Sequence, residues 1–163
     1  MKTTVNGRTY LIESMHDDST GVPWDEYDGH GIVSEWTSRD KRAGELILCE
    51  NRRSKRYYDF AGTCERARKE GWELGEGSKR QRAVNAVLQD FERLRAWCDG
   101  QWEYVILTVT LLNSEGKKTG LCDHLGSVES DYTKDAIEQL ISELEHGIAE
   151  RTKNSLAYLG LSS

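Results

Sequence analysis

WEYVILTVTLL (Trp102–Leu112) is the stretch that decides the fold. Successive residues of a strand point to opposite faces. Here one face takes Val105, Leu107, Val109 and Leu111, all apolar, and the other takes Tyr104, Ile106, Thr108 and Thr110. A strand apolar on one side and half-polar on the other belongs inside an antiparallel sheet with one covered face. Asn113–Lys118 reads as a turn into a weaker partner strand, Leu121–Val128. Working outward, Arg8–Met15 predicts a first strand. ELILCE (Glu45–Glu50) and KRYYDF (Lys55–Phe60) predict a hairpin joined through Asn51–Ser54, whose Asn and Ser can bond the local backbone.

Helical signals fill the rest. Ala61–Glu70 ends at Gly71, which suits a left-handed cap. After Ser78, a natural N-cap, Val84, Val87, Leu88, Phe91, Leu94 and Cys98 form one stripe at helical spacing across Lys79–Cys98. Arg80, Arg82, Asn85, Asp90, Glu92, Arg93 and Arg95 fall on its other face. A last helix over Thr133–Glu150 would bury Ile137, Leu140, Ile141, Leu144 and Ile148. The expectation is a single α+β domain, residues 1–163. It has one antiparallel sheet of about four to five strands with helices packed mainly on one face. Residues 16–42 form a long loop holding Trp24, Tyr27 and Trp36, either pinned by those aromatics or functional. The tail, 152–163, carries Leu156, Tyr158, Leu159 and Leu161, apolar enough to pack on the body or to make a homodimer.

Composition sets the class. Of 163 residues, 37% are apolar and 31% charged, and the mean hydropathy is −0.70. That is too apolar for a disordered chain, and no run approaches the roughly 18 apolar residues of a membrane span. Met1–Tyr10 has no signal-peptide core. Cys49, Cys64, Cys98 and Cys122 lie far apart without a C-x-x-C pair, which reads as four reduced thiols of a cytoplasmic protein rather than a disulfide framework.

The net charge of −6 is unevenly spread. Residues 38–95 carry fifteen basic and ten acidic groups, between flanks that are both acidic. Arg52, Arg53, Lys55 and Arg56 crowd the hairpin tip beside Tyr57, with Arg66 and Lys69 following on a helix. Such a patch suits an acidic protein surface, and basic groups with interleaved aromatics can also hold phosphates and stack bases. Asp135, Glu138 and Glu145 make an acidic face on the last helix, which is a solvated surface or, at its sharpest, a mimic of nucleic-acid charge.

Catalytic patterns are sparse. G-x-S-x-G, G-x-x-x-x-G-K-[ST], G-x-G-x-x-G and H-E-x-x-H are all missing. No cofactor or metal is expected, and the reading leans away from an enzyme. The one enzymatic alternative is a metal-assisted hydrolase built on Asp25, Asp28 and His30 of the long loop.

GELILCENRRSKRYYDFAGTCERARKEGW (Gly44–Trp72), RLRAWC (Arg93–Cys98) and WEYVILTVTLLNSEG (Trp102–Gly116) resemble a group of small uncharacterised accessory proteins of tailed phages and prophages of proteobacteria. The likeness covers most of the chain, from about Val33 to Leu144, and transfers context without site residues. It implies a viral protein made in the host bacterial cytoplasm. Small accessory phage proteins often bind and block a host protein complex, including CRISPR and restriction systems. A nucleic-acid-associated replication or recombination accessory is the alternative.

Overall fold

A computed structural model describes residues 1–158. The described chain is α+β, with strands β1 (Lys2–Val5), β2 (Arg8–His16), β3 (Glu45–Glu50), β4 (Lys55–Asp59), β5 (Tyr104–Leu112) and β6 (Lys118–Glu129). The helices are α1 (Pro23–Glu26), α2 (Phe60–Glu70), α3 (Lys79–Cys98) and α4 (Lys134–Tyr158). No helix among the described residues is long and apolar enough to cross a membrane.

The strands make two sheets where one was expected. β1-β2-β5-β6 is antiparallel throughout, and β3-β4 is a separate ribbon. Contacts divide the chain into two compact units, residues 1–19 with 103 onward, and residues 20–102. The reason lies in the register. His16 at the end of β2 pairs with Val105 near the start of β5, so the intervening chain leaves and returns at one point. It then folds around a core of its own. β1 is an addition to the sequence reading. Asn6 and Gly7 take φ of 50° and 76°, the two positive values that a tight two-residue hairpin turn needs.

In the first unit Tyr10, Ile12, Val105, Leu107, Val109 and Val128 line one sheet face, and α4 covers it with Leu140 and Ile141. α4 runs on through Arg151–Tyr158, where a tail was expected, because ERTKNSLAY contains neither Gly nor Pro. Its Leu156 and Tyr158 are exposed. Leu159 and Leu161 lie outside the described residues.

The second unit packs α2 and α3 on the ribbon around Leu48, Tyr58, Ala67, Ala83, Val87 and Leu94. Asp59 caps α2 by accepting from Gly62 N, and Ser78 caps α3 by accepting from Gln81 N. Leu88, assigned to the buried stripe of α3, is exposed, and Ala83 is buried instead. Residues 32–37 of the long loop run along the outer edge of β4, bridging Val33 to Tyr58 and Thr37 to Lys55. That third line of pairing covers the free edge of β4.

The cysteines also depart from expectation. Cys49 of β3 and Cys98 at the end of α3 form a disulfide, with Cα atoms 5.6 Å apart. Sequence distance hid the pair, since 49 positions separate them. Cys64 and Cys122 are free thiols.

Candidate functional site

The basic hairpin tip is a rigid turn. Asn51 Oδ1 accepts from Arg53 N and Ser54 N, each at 2.9 Å, and Asn51 N donates to Ser54 O. An Asx-type turn of this kind fixes the backbone and leaves the flanking side chains to solvent. Arg52 and Arg53 are exposed there and have no ion pair among the described residues. Lys55 follows, 3.5 Å from Glu50 across the ribbon. These three are the predicted contact residues that the fold presents together.

Arg56 and Tyr57 are turned inward, which corrects their place in that set. The Arg56 guanidinium lies over the Trp24 ring at 5.2 Å and over Trp36 at 5.5 Å, with Glu35 at 3.6 Å. Its Nε is buried without a hydrogen-bond partner. The Tyr57 ring is buried beneath the Arg39 guanidinium, and its hydroxyl donates to Arg39 O at 2.9 Å. Strand alternation explains neither orientation. The loop residues Trp24, Trp36 and Arg39 close over β4 and enclose both side chains.

This closure builds a feature the sequence reading did not assemble. Trp97 of α3 meets Trp24 edge to face at 5.4 Å. Trp97, Trp24, Arg56 and Trp36 thus form a continuous aromatic and cationic ladder, ending at Trp36, which is 45% exposed. Beside it lies a groove of about 560 Å³ lined by Trp36, Trp97, Arg95 and the Cys49–Cys98 bridge. The signal available in the sequence was the unusual aromatic content of the long loop.

Arg66 and Lys69 stand on α2. Lys69 is exposed. Arg66 pairs with Glu70 at 2.8 Å, donates to His30 O and covers the Trp72 ring, so it serves the loop rather than an outer patch. Of the acidic face, Asp135 and Glu138 are exposed on α4, with Lys134 beside Glu138 at 3.9 Å. Glu145 is not part of it. Its carboxylate turns onto the sheet, accepting from the Tyr10 hydroxyl and from Arg8 at 2.6 Å. The Tyr10 bond first, then the Arg8 charge, hold it below the usual carboxylate range.

The second arrangement worth building centres on Asp90. Sequence spacing put it on the outer face of α3, yet its side chain is only 10% exposed. It accepts from His30 Nδ1 at 2.7 Å, Gly31 N at 2.8 Å and the Tyr58 hydroxyl at 2.7 Å. Burial, then the Asp90 bond, push the Tyr58 hydroxyl well above its ordinary range. Gly31 is obligatory, because a Cβ there would overlap the Tyr58 ring. Asp90 is the pin that seats residues 28–31 on α3. Asp25, Asp28 and His30 do not converge, and no group of three His, Cys, Asp or Glu among the described residues could hold a metal ion. The hydrolase alternative loses its ligand set in this geometry.

No protein-family model, curated protein or solved structure matches the chain.

Proposed function

We propose that the chain is a phage-encoded, non-enzymatic binding protein that grips an acidic surface of a host bacterial protein complex, with CRISPR and restriction systems as the favoured class of target. The contact is the tip of the β3–β4 hairpin, Arg52, Arg53 and Lys55, together with the exposed Trp36, whose neighbour Thr37 bridges Lys55. One observation carries the reading: Arg52 and Arg53 are exposed on a turn fixed by its own Asn51, and the exposed Trp36, stacked on the Arg56 guanidinium, belongs to the strip of chain that pairs with the same hairpin. Trp and Arg dominate the energetics of protein interfaces, and a pre-ordered platform loses little entropy when a partner docks. The resemblance to phage accessory proteins supplies the setting.

The test is affinity capture of the tagged chain from infected host cells, with bound proteins identified by mass spectrometry. The triple variant Arg52→Glu, Arg53→Glu, Lys55→Glu leaves the inward-turned Arg56 in place and should fold normally. It is expected to lose the captured complex, and Trp36→Ala to weaken capture by about tenfold or more. Unchanged capture by the triple variant sinks the reading. Capture abolished by nuclease instead would hand the same platform to a nucleic acid, since an exposed indole beside arginines also stacks bases.

A further inference from the structure

The Cys49–Cys98 bridge lies at the surface of the core it cross-links. Both cysteines are half-buried, and both line the groove of about 560 Å³ that they share with Trp36, Trp97 and Arg95. Leu48 and Leu94, close to them in the chain, are sealed in the core. Each cysteine also sits where regular structure gives out. The β3–β4 register slips between Ile47 and Cys49, and Cys98 is the last residue of α3 before Asp99 ends it. Parting the two therefore asks for movement at a bulge and at a helix end, which open more easily than the middle of a helix or ladder.

The same turn of α3 is also tied without covalent bonds. Arg95 Nη1 donates to Ile47 O at 3.1 Å, and Trp97 meets Trp24 edge to face at 5.4 Å. Further back, Val87 and Leu94 anchor α3 in the core, and Asp90 is bonded to His30, Gly31 and Tyr58. Those anchors do not pass through the bridge. In the groove, Glu50 lies 3.5 Å from Lys55 and Asp99 lies 3.7 Å from Arg95, so each carboxylate that an entering thiolate meets has a cation at hand. Disulfides open to solvent are the labile ones. We infer that the bridge is a redox site, reduced by a dithiol that enters the groove, and that its opening frees the last turn of α3 from β3 while the rest of the unit stays folded. The dithiol attacks one Sγ as a thiolate, and the other Sγ leaves as a thiolate and takes up a proton. The second thiol of the reductant then attacks the mixed disulfide and releases the first cysteine. Two electrons pass from the dithiol, which ends as a cyclic disulfide, to Cys49 and Cys98, which end as thiols. The inference uses neither the hairpin tip nor a partner, and stands without that reading.

Dithiothreitol is the probe, added to the full chain at millimolar concentration without denaturant. The expected result is a rise from two titratable thiols to four, at a rate proportional to the dithiol concentration. In ¹H–¹⁵N spectra the amides of Trp97 and Cys98 and the Trp24 indole should shift on reduction, while the amides of Val87 and Asp90 stay in place. Replacing the dithiol by its oxidised form should restore the first spectrum. The double variant Cys49→Ser, Cys98→Ser should show the shifted spectrum whether or not dithiol is present. A bridge that yields only in denaturant, or at a rate that stays level as dithiol rises, is reduced through unfolding and overturns the proposal. So does a spectrum that reduction leaves unchanged, loss of the Val87 and Asp90 signals together with that of Cys98, or a double variant that does not fold.

Discussion

The two units are held by different means. The sheet unit is an alternating β-structure under one amphipathic helix, and its core of Tyr10, Ile12, Val105, Leu107, Val109, Val128, Leu140 and Ile141 is made of large side chains. The inserted unit buries Leu48, Tyr58, Ala67, Ala83, Val87 and Leu94, packs the half-buried Trp24, Phe60, Trp72 and Phe91 against them, and adds a set of polar and covalent ties. Asp90 fastens the loop to α3, Arg39 and Glu45 fasten its far end, and Cys49–Cys98 joins ribbon to helix. Charge divides the same way. Counted from the sequence, residues 20–102 balance fifteen basic with fifteen acidic groups, while the remainder holds seven against thirteen and so the whole net −6. Cross-linking of this kind adds to burial by restricting the unfolded chain. The inserted unit also has a surface with cations to spare at one end, which is where the proposed contact lies.

The sharpest way to break this contrast is to cut the covalent tie. Closing a loop of this length should restrict the unfolded chain enough to stabilise the insert by about 4 kcal/mol. Cys98→Ser is therefore expected to lower the denaturation free energy of the inserted unit by up to about 4 kcal/mol, read by hydrogen exchange of α3 amides, while β5 amides are protected as before. Equal loss of protection in β5 would make the units one cooperative body. A thiol count without reductant should give two reactive groups in the native chain and three in the variant, and four in the native chain would remove the disulfide from the account.

The reciprocal cut goes through the sheet core. Leu107 is buried at the centre of β5, and Leu107→Ala should destabilise the sheet unit by about 3 kcal/mol through lost burial and the cavity left behind. Exchange should rise in β2, β5 and α4. A variant whose loosening appears first in α2 and α3 would show that the sheet unit is not built on its own core.

What could be read in the sequence follows the same division. α3 is observed over Lys79–Cys98 with Ser78 as its cap, as the stripe and the cap predicted, because both signals lie within a few residues of one another. β5 was legible for the same reason, needing only alternation. Asp90, Arg56 and Glu145 were misplaced because their directions are set by partners far along the chain. His30 is 60 positions from Asp90, and Tyr10 is 135 from Glu145. A carboxylate at the edge of an apolar stripe looks solvated until the element that bonds it is known. The binding platform was half legible. The arginines of the tip and the aromatics of the loop were visible separately, but their meeting depends on residues 32–37 pairing with β4, a pairing with no local signature. β1 had such a signature in Asn6–Gly7, and the strand beside it is simply too short to stand out.

The smallest expected effect compares one carboxylate from each unit. Glu45 accepts from Arg39 Nη1 at 2.7 Å and Nη2 at 2.5 Å, and from Arg42 N at 2.7 Å. The Arg39 bonds, ahead of the Arg42 N–H and the two guanidinium charges, hold it down at about 2 against an opposing effect of burial. Glu145 is lowered too, chiefly by the Tyr10 hydroxyl. A carboxylate depressed in the folded state contributes stability that is complete above its unfolded value and disappears as the pH falls through the folded one. For Glu45 the window runs from about 4.5 down to about 2. The denaturation midpoint should therefore be level from pH 7 to 5 and fall below that. Glu45→Gln should start lower at pH 7 and fall less steeply in acid, with the change confined to exchange in the inserted unit, and Glu145→Gln should do the same for the sheet unit. The Glu145 variant should be the milder of the two, since the Tyr10 hydroxyl can still bond a glutamine carbonyl and Arg8 meets Glu145 through one nitrogen only, whereas Arg39 loses the charge that its two-pronged pairing requires. Identical acid limbs for native chain and Glu45→Gln would mean that the Arg39 tie does not hold the loop in solution.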